Sequence, residues 1–423
     1  MSNLTARKNE YLVPFILVTS LFFLWAFLHN TNPILIPHLK KACELTDTQS
    51  ALIDTAVYVG YFVMALPAGW LMHRYGYKKG ILFGLVLYAI GALLFLPAAS
   101  ARSYNLFLIA LFIIASGATF LETVANPYIS KLGDPETSEQ RLNFAQSFNG
   151  VGAFVAPIVG GQFILSGIEH SPEELKNMSA AALEQYLASE AATVKIPYLV
   201  ITFIVIAVTL LFFVTKIPEI REAGEGESEH SFSARIFRHR HVSWAVITQL
   251  FYVGAQVCVG SFFIRLARQL MDLPEKQAAF MWGSIAMVGF MAGRFAGTFL
   301  MKYIKPAVLL TTYAIINILL LTFALLNTGA LSVYAVIAVP FFESIMFPTI
   351  FALGIKGLGE ETKIASSFIV MSIVGGAIFP LFMGLISDAT GSMQKAYIVP
   401  LLCFVVVLYF GWKGHKIVAP KTT

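Results

Sequence analysis

The sequence predicts an all-α membrane protein of twelve transmembrane helices arranged as two six-helix halves. Three observations carry this expectation. The chain has 423 residues, 57% hydrophobic and only 13% charged, with a mean hydropathy of +0.74. Soluble domains carry about 25% charge, so the ions needed for a water-facing surface are missing. Apolar stretches of the roughly 20 residues that a bilayer-crossing helix requires recur twelve times. Finally, the two halves of the chain repeat one another. Bulk composition alone excludes a soluble enzyme or a nucleic-acid-binding domain.

The chain opens with a polar stretch, Met1 to Glu10, and no small-residue cleavage site follows it. It reads as a tail before a retained first span, not as a secretory signal. Spans are expected near 12–37, 50–73, 80–99, 104–131, 142–166 and 196–215 in the first half. The second half supplies 242–264, 277–301, 306–326, 332–355, 364–387 and 396–412. Between spans five and six, 168–195 has good helix formers at helical spacing and reads as a surface helix outside the membrane. Residues 218–241 are Gly/Glu/Ser-rich and then basic, the composition of a solvated linker. The expected organisation is therefore a half at 1–217, a cytoplasmic linker at 218–241 and a half at 242–423.

Charge fixes the expected orientation. Segments on the side of the two termini carry about twice the Lys and Arg of the opposite side, which places both termini in the cytoplasm. The Arg-His-Arg-His run at 238–241 is then a topology signal, and no nucleic-acid partner is expected. Cys43, Cys258 and Cys403 form neither a disulfide framework nor a metal set. No G-x-x-x-x-G-K-[ST], H-E-x-x-H or G-x-S-x-G occurs, so no nucleotide loop, zinc protease or serine hydrolase is signalled, and no cofactor is expected.

The repeat is explicit in spans four and ten. Glu122, Pro127, Ile129, Leu132 and Gly133 return as Glu343, Pro348, Ile350, Leu353 and Gly354 at a constant offset of 221. A weaker repeat links Gly152, Ala153, Pro157 and Gly160 of span five to Gly376, Ala377, Pro380 and Gly384 of span eleven. Duplicated six-helix halves build many secondary transporters, with substrate held between them near the midplane. An intramembrane enzyme using paired carboxylates is the alternative from a different class; the repeat argues for alternating access instead.

Polar residues inside spans are costly and mark pathways. Glu122 lies mid-span, with Asn126 and Pro127 one turn on. Span one carries Asn30, Thr31, Asn32 and Pro33, a pattern that suggests a broken helix presenting amides and freed carbonyls. Interhelical amide packing is the plainer reading there. Asp54 sits in the outer third of span two, as a coupling or outer-gate carboxylate. Gln146 and Asn149 share a helix face at the depth of Glu122, and such two-way amides suit hydroxyl-rich substrates. Gln256 is their counterpart in span seven. Glu343 repeats Glu122, but Arg294 in span eight could pair with it, so ligand contact and structural ion pair stay equally open. Trp25, Tyr58, Tyr61, Tyr252, Phe262 and Trp282 are candidates for stacking on sugar rings, against the ordinary reading as packing.

The loop after span two, Gly69 to Lys79 with Arg74 inside it, is similar to the G-x-x-x-D-R-x-G-R-K loop of the major facilitator superfamily, with His73 in place of Asp. Gly297 to Lys302 reads as a degraded second copy, and Gly384 to Gly391 as a copy retaining Asp388. Gly69, Arg74, Arg294 and Asp388 are therefore the expected gate residues.

Within that superfamily the chain resembles the fucose–proton symporter and glucose/galactose transporter family. The stretches that carry the resemblance are 21–39, 59–72, 121–128, 141–153, 252–256, 344–359 and 366–376. The resemblance implies uptake of a monosaccharide, such as a hexose or N-acetylhexosamine, down a cation gradient. Glu122 matches the family's span-four glutamate, and Asn30, Gln146 and Asn149 match its cavity amides. One departure stands out: the fucose symporters have a protonatable Asp in span one where this chain has Pro33, and a glutamine where it has Asp54. The coupling carboxylate is therefore expected to have moved to Asp54, with Asn32 and Glu122 beside it. Carboxylate, amide and carbonyl oxygens together suit a hard cation, so Na⁺ at Asp54 is marginally favoured over H⁺.

The expected protein is a cation-coupled monosaccharide symporter of a bacterial inner membrane, multi-pass and monomeric, whose partners are the sugar and the lipid bilayer. A sugar or drug efflux antiporter is the alternative within the superfamily.

Overall fold

Helices account for all the regular structure in the computed structural model, which describes residues 2–31, 35, 38, 39, 42–45, 47–164, 172–219 and 234–417. The first half contains α1 (Ser2–His29), α2 (Asp47–Tyr75), α3 (Tyr77–Ser100), α4 (Tyr104–Lys131), α5 (Ser138–Phe163) and α6 (Lys195–Val214). The second contains α7 (Arg240–Met271), α8 (Trp282–Leu300), α9 (Pro306–Leu326), α10 (Ala330–Gly354), α11 (Thr362–Thr390) and α12 (Met393–Gly414).

Among the described residues, ten helices are long and apolar enough to cross a membrane. The other two expected spans are α1, a 28-residue helix that contains the apolar stretch Leu12–Phe27, and α5. α5 has the length, at 26 residues, but Asn143, Gln146, Ser147 and Asn149 lower its hydropathy. α1 ends at His29, and Asn32, Pro33 and Pro37 lie outside the described residues.

α1–α6 pack among themselves chiefly through α3 on α4, α2 on α4, α1 on α5 and α3 on α6. In α7–α12 the main packings are α7 on α11 and α12, and α9 on α10 and α12. The repeat-related helices α4 and α10 are strongly enclosed, with 72% and 83% of their membrane-length stretches buried. Their shared pattern therefore describes the two helices that face protein along most of their surface.

The halves meet where α2 crosses α11 and where α5 lies against α8 and α10. Gly69 makes the first crossing possible, since a methyl group there would overlap the Ser367 hydroxyl of α11. Further contacts gather at the end of the bundle where α2 and α4 finish and α5 and α11 begin. There Lys131 donates to the Gly359 carbonyl at 2.7 Å, and Lys356 pairs with buried Glu139 at 2.7 Å.

The turn between α2 and α3 shows how the first half closes. Gly76 holds φ at 86°, a conformation that glycine adopts without a Cβ clash, and leaves the first N–H groups of α3 free. Glu219, just beyond α6, accepts from Tyr77 N at 3.0 Å and Lys78 N at 3.2 Å. Lys78 Nζ in return donates to the Phe213 and Thr215 carbonyls at the end of α6, at 2.9 and 2.8 Å. Each helix end caps the other with the charge that suits its dipole.

Residues 220–233 of the linker lie outside the described residues. In the 168–195 stretch, helices occupy Pro172–Asn177 and Ala180–Ala192, the second tucking Tyr186 and Leu187 inward.

Candidate functional site

The polar residues of α4 and α5 interlock. Glu122 is buried in the middle of α4, and the Asn126 amide one turn on donates to its backbone carbonyl at 2.9 Å. The spacing of four residues puts both on one face. The phenol of Tyr61, on α2, faces the Glu122 carboxyl. Gln146 on α5 donates to the Asn126 oxygen at 3.0 Å. The Gln146 oxygen is then free to accept from elsewhere.

Arg294 of α8 supplies that donor from the other half. Its Nη1 donates to Gln146 Oε1 at 3.0 Å, to Asn149 Oδ1 at 3.3 Å and to the Gln146 backbone carbonyl. The Phe290 ring flanks the guanidinium, 4.7 Å from its centroid. Buried Arg294 also lies within the electrostatic reach of Glu122, while its Nε has no hydrogen-bond partner. A continuous chain thus runs Arg294, Gln146, Asn126 and the Glu122 backbone, crossing between the halves. One turn nearer the end of the bundle, Asn143 donates to Thr349 Oγ1 of α10 at 3.1 Å.

Glu343 is placed differently. Helical order in α10 breaks between Glu343 and Met346, because Pro348 has no N–H for the Ser344 carbonyl. Tyr252 of α7 enters this break and donates to the Glu343 carbonyl at 3.1 Å, with the Phe347 N–H facing the same hydroxyl. The Oε1 of Glu343 is buried with no hydrogen-bond partner. The expected alternative of a Glu343–Arg294 ion pair is not what the structure shows: the Arg294 Nη1 donates to the opposite half and lies in no ion pair with Glu343. Gln256 is half-buried on α7, one turn from Tyr252 and on the same face.

The remaining sequence candidates fall in three groups. Asn30 turns back on its own helix and donates to the Ala26 carbonyl at 2.8 Å. Its amide and its own backbone N–H share that one carbonyl near the end of α1. Asn32 lies outside the described residues, and so does the Asp54 side chain; the Asp54 backbone is helical, two turns before Tyr61 on α2.

The gate residues separate. Gly69 sits on the α2–α11 crossing, whereas exposed Arg74 lies over the rings of Trp70 and Tyr75, at 6.0 and 5.7 Å. Asp388 is exposed near the far end of α11, about 30 Å along that helix from Ser367 at about 1.5 Å per residue. The spacing that made it look like a third copy of the loop carries no information about which end of a helix it occupies. The structure does not bring Asp388 together with Gly69 and Arg74.

Among the aromatic candidates, Trp25 packs on Phe22 at 4.4 Å and Trp282 on Phe263 at 5.1 Å, while Tyr58 abuts Gly376. Tyr61 faces the Glu122 carboxyl, and Tyr252 bonds the backbone of Glu343. The roles of these two phenols, as partners of Glu122 and of the α10 break, are not legible from sequence, because each joins helices far apart in the chain.

Residues 15–380 match the family model for the Major Facilitator Superfamily. The chain is 43% identical over 411 residues to the L-fucose-proton symporter of Escherichia coli (strain K12), covering 96% of this chain and 93% of that one. It is 39% identical over 418 residues to the glucose/galactose transporter of Brucella abortus biovar 1 (strain 9-941), covering 97% and 96%. The crystal structure of the transporter FucP in the outward conformation superposes with a TM-score of 0.89 at 42% identity, covering 96% of this chain and 99% of that one. With twelve helices in the same arrangement and these relatives along nearly its whole length, the chain is a transporter and not an enzyme, a multi-pass member of the Major Facilitator Superfamily in the family of fucose–proton symporters and glucose/galactose transporters.

Proposed function

We propose that this protein imports a monosaccharide together with a proton across a bacterial inner membrane, by rocking of its two halves about a site at Glu122, Gln146 and Asn149. The observation that carries this reading is the bonded chain from Arg294 through Gln146 and Asn126 to Glu122. Its amides both donate and accept, as sugar hydroxyls do. A sugar that bonds Gln146 and Asn149 competes with Arg294 for the same oxygens, so binding loosens the link between the halves. That gives the ligand a different affinity for the two conformations, which alternating access requires. Gln256 and Tyr252 extend the site onto α7.

A proton is preferred to sodium as the coupled cation. Relatives carry a proton in their names, and neither they nor any described residue supports the sodium reading of Asp54. Both termini face the cytoplasm in this proposal, because the Lys- and Arg-rich segments lie on their side. The contacts at Lys131 and Lys356 then close the cytoplasmic end, and the structure is the outward-facing state.

The test is uptake of labelled L-fucose, D-glucose, D-galactose and N-acetyl-D-glucosamine into proteoliposomes. An imposed pH gradient, alkaline inside, should drive accumulation of at least one of them, and a sodium gradient at constant pH should not. Equilibration without accumulation under every gradient would replace symport by facilitated diffusion.

A further inference from the structure

Glu122 and Glu343 occupy equivalent places in the two repeats, yet their surroundings are opposite. Glu122 has the Tyr61 hydroxyl and lies in the reach of Arg294. Glu343 is only 2% exposed, its Oε1 has no hydrogen-bond partner, and no cationic nitrogen of the described residues lies within 4.0 Å of it. The titratable groups that face it are Tyr252 and Cys258 of α7 and Tyr397 of α12, all uncharged in their ordinary forms. On its own helix, Pro340 and Met346 flank it. A buried carboxylate without a cation or donor is among the most costly groups a protein can hold, and the neutral acid avoids that cost.

Arg294 is a buried source of positive charge that could change this. Its guanidinium shares Tyr252 as a neighbour with Glu343, and it is held away by Gln146 and Asn149 of the first half. Those bonds cannot survive rocking of the halves apart at α5 and α8. Helical order in α10 is interrupted beside Glu343, where the Tyr252 hydroxyl donates to the Glu343 carbonyl.

We propose that Glu343 is a proton-binding site of the second half, loaded in this conformation and discharged when Arg294 leaves Gln146 and Asn149. In the discharge step the Glu343 O–H bond breaks, the proton passes to water in the opening cleft, and the carboxylate left behind is neutralised by the Arg294 guanidinium. The inference rests on the symport reading above and gives its proton a place.

The experiment compares wild type with Glu343→Gln, the isostere of the neutral acid, using labelled L-fucose, D-glucose and D-galactose in parallel. Exchange at equal sugar concentrations should persist in the variant, since it needs no net proton movement. Accumulation under a pH gradient should be lost, and with it the sugar-induced alkalinisation of a weakly buffered suspension. Glu343→Asp keeps an acid in a shorter reach and should retain accumulation with a displaced pH midpoint. Wild-type accumulation and pH profile in Glu343→Gln would overturn the assignment while leaving symport intact. If that variant does not fold, an unchanged midpoint in Glu343→Asp overturns it equally. Sugar transport by wild type with no proton movement would remove the symport reading and this proposal with it.

Discussion

Arg294 on α8 donates to the Gln146 side chain on α5 at 3.0 Å, and this bond joins the two halves at the depth of Glu122. An arginine in this position serves as a tie only while its acceptors are unoccupied by ligand. Under the function proposed above, the same amides would read sugar hydroxyls. Substrate recognition and the mechanical link between the halves would then use one set of oxygens.

Glu122→Gln should abolish gradient-driven sugar accumulation while the protein still inserts and unfolds at a similar temperature. The amide keeps the volume and can still accept from Tyr61, so only the charge is lost. Uptake into proteoliposomes, beside a thermal melt in detergent, checks this. Accumulation at the wild-type level would reduce Glu122 to a packing residue.

Gln146→Ala should weaken sugar binding more than Asn149→Ala does. Each lost hydrogen bond is worth about 0.5–1.5 kcal/mol, up to roughly tenfold in Kd. Gln146 bonds both Asn126 and Arg294, whereas Asn149 meets Arg294 alone at 3.3 Å. Isothermal titration with the transported sugar measures both. Equal affinity in both variants and wild type would move the sugar site elsewhere between the halves.

Asp54→Asn tests the outer carboxylate of α2. Removing its charge should slow proton-driven uptake and leave sugar exchange intact, and the comparison with Glu343→Gln ranks the two acids. Proton-driven uptake at the wild-type rate in Asp54→Asn would take Asp54 out of the coupling path.

Lys356→Ala should open the end of the bundle closed by Lys131 and Lys356. It strips buried Glu139 of its charged partner, a loss of about 1–3 kcal/mol against the closed state. A cysteine introduced at Ser130, buried on α4, should then label faster with a membrane-impermeant maleimide in inverted vesicles. Unchanged labelling would show that this ion pair does not hold the closure.

Much of the architecture was legible because the bilayer imposes it: hydropathy finds the spans, and the offset of 221 pairs α4 with α10. Glu122 and Gln146 were legible for the same reason, as polar groups in apolar stretches. For Arg294 the sequence leaves an ion pair with Glu343 open, and the bonds to Gln146 and Asn149 that it makes depend on helix rotation and on which half it faces. Asn30 shows the opposite limit, since a side chain at a helix end is first claimed by its own backbone. The Glu219 cap was beyond reach, joining residues 142 positions apart through a single carboxylate with no motif around it.

That cap has a consequence for synthesis. Glu219, just after α6, bonds back to α3, and Tyr128 of α4 reaches the Pro218 carbonyl beside it at 3.2 Å. All the groups that fasten this ring belong to residues translated before α7 begins. The ribosome can therefore release a six-helix unit already locked at its seam while the second unit is still unmade. A nascent chain truncated within the linker should resist protease, and replacing Glu219 with alanine should leave it vulnerable at the α2–α3 turn.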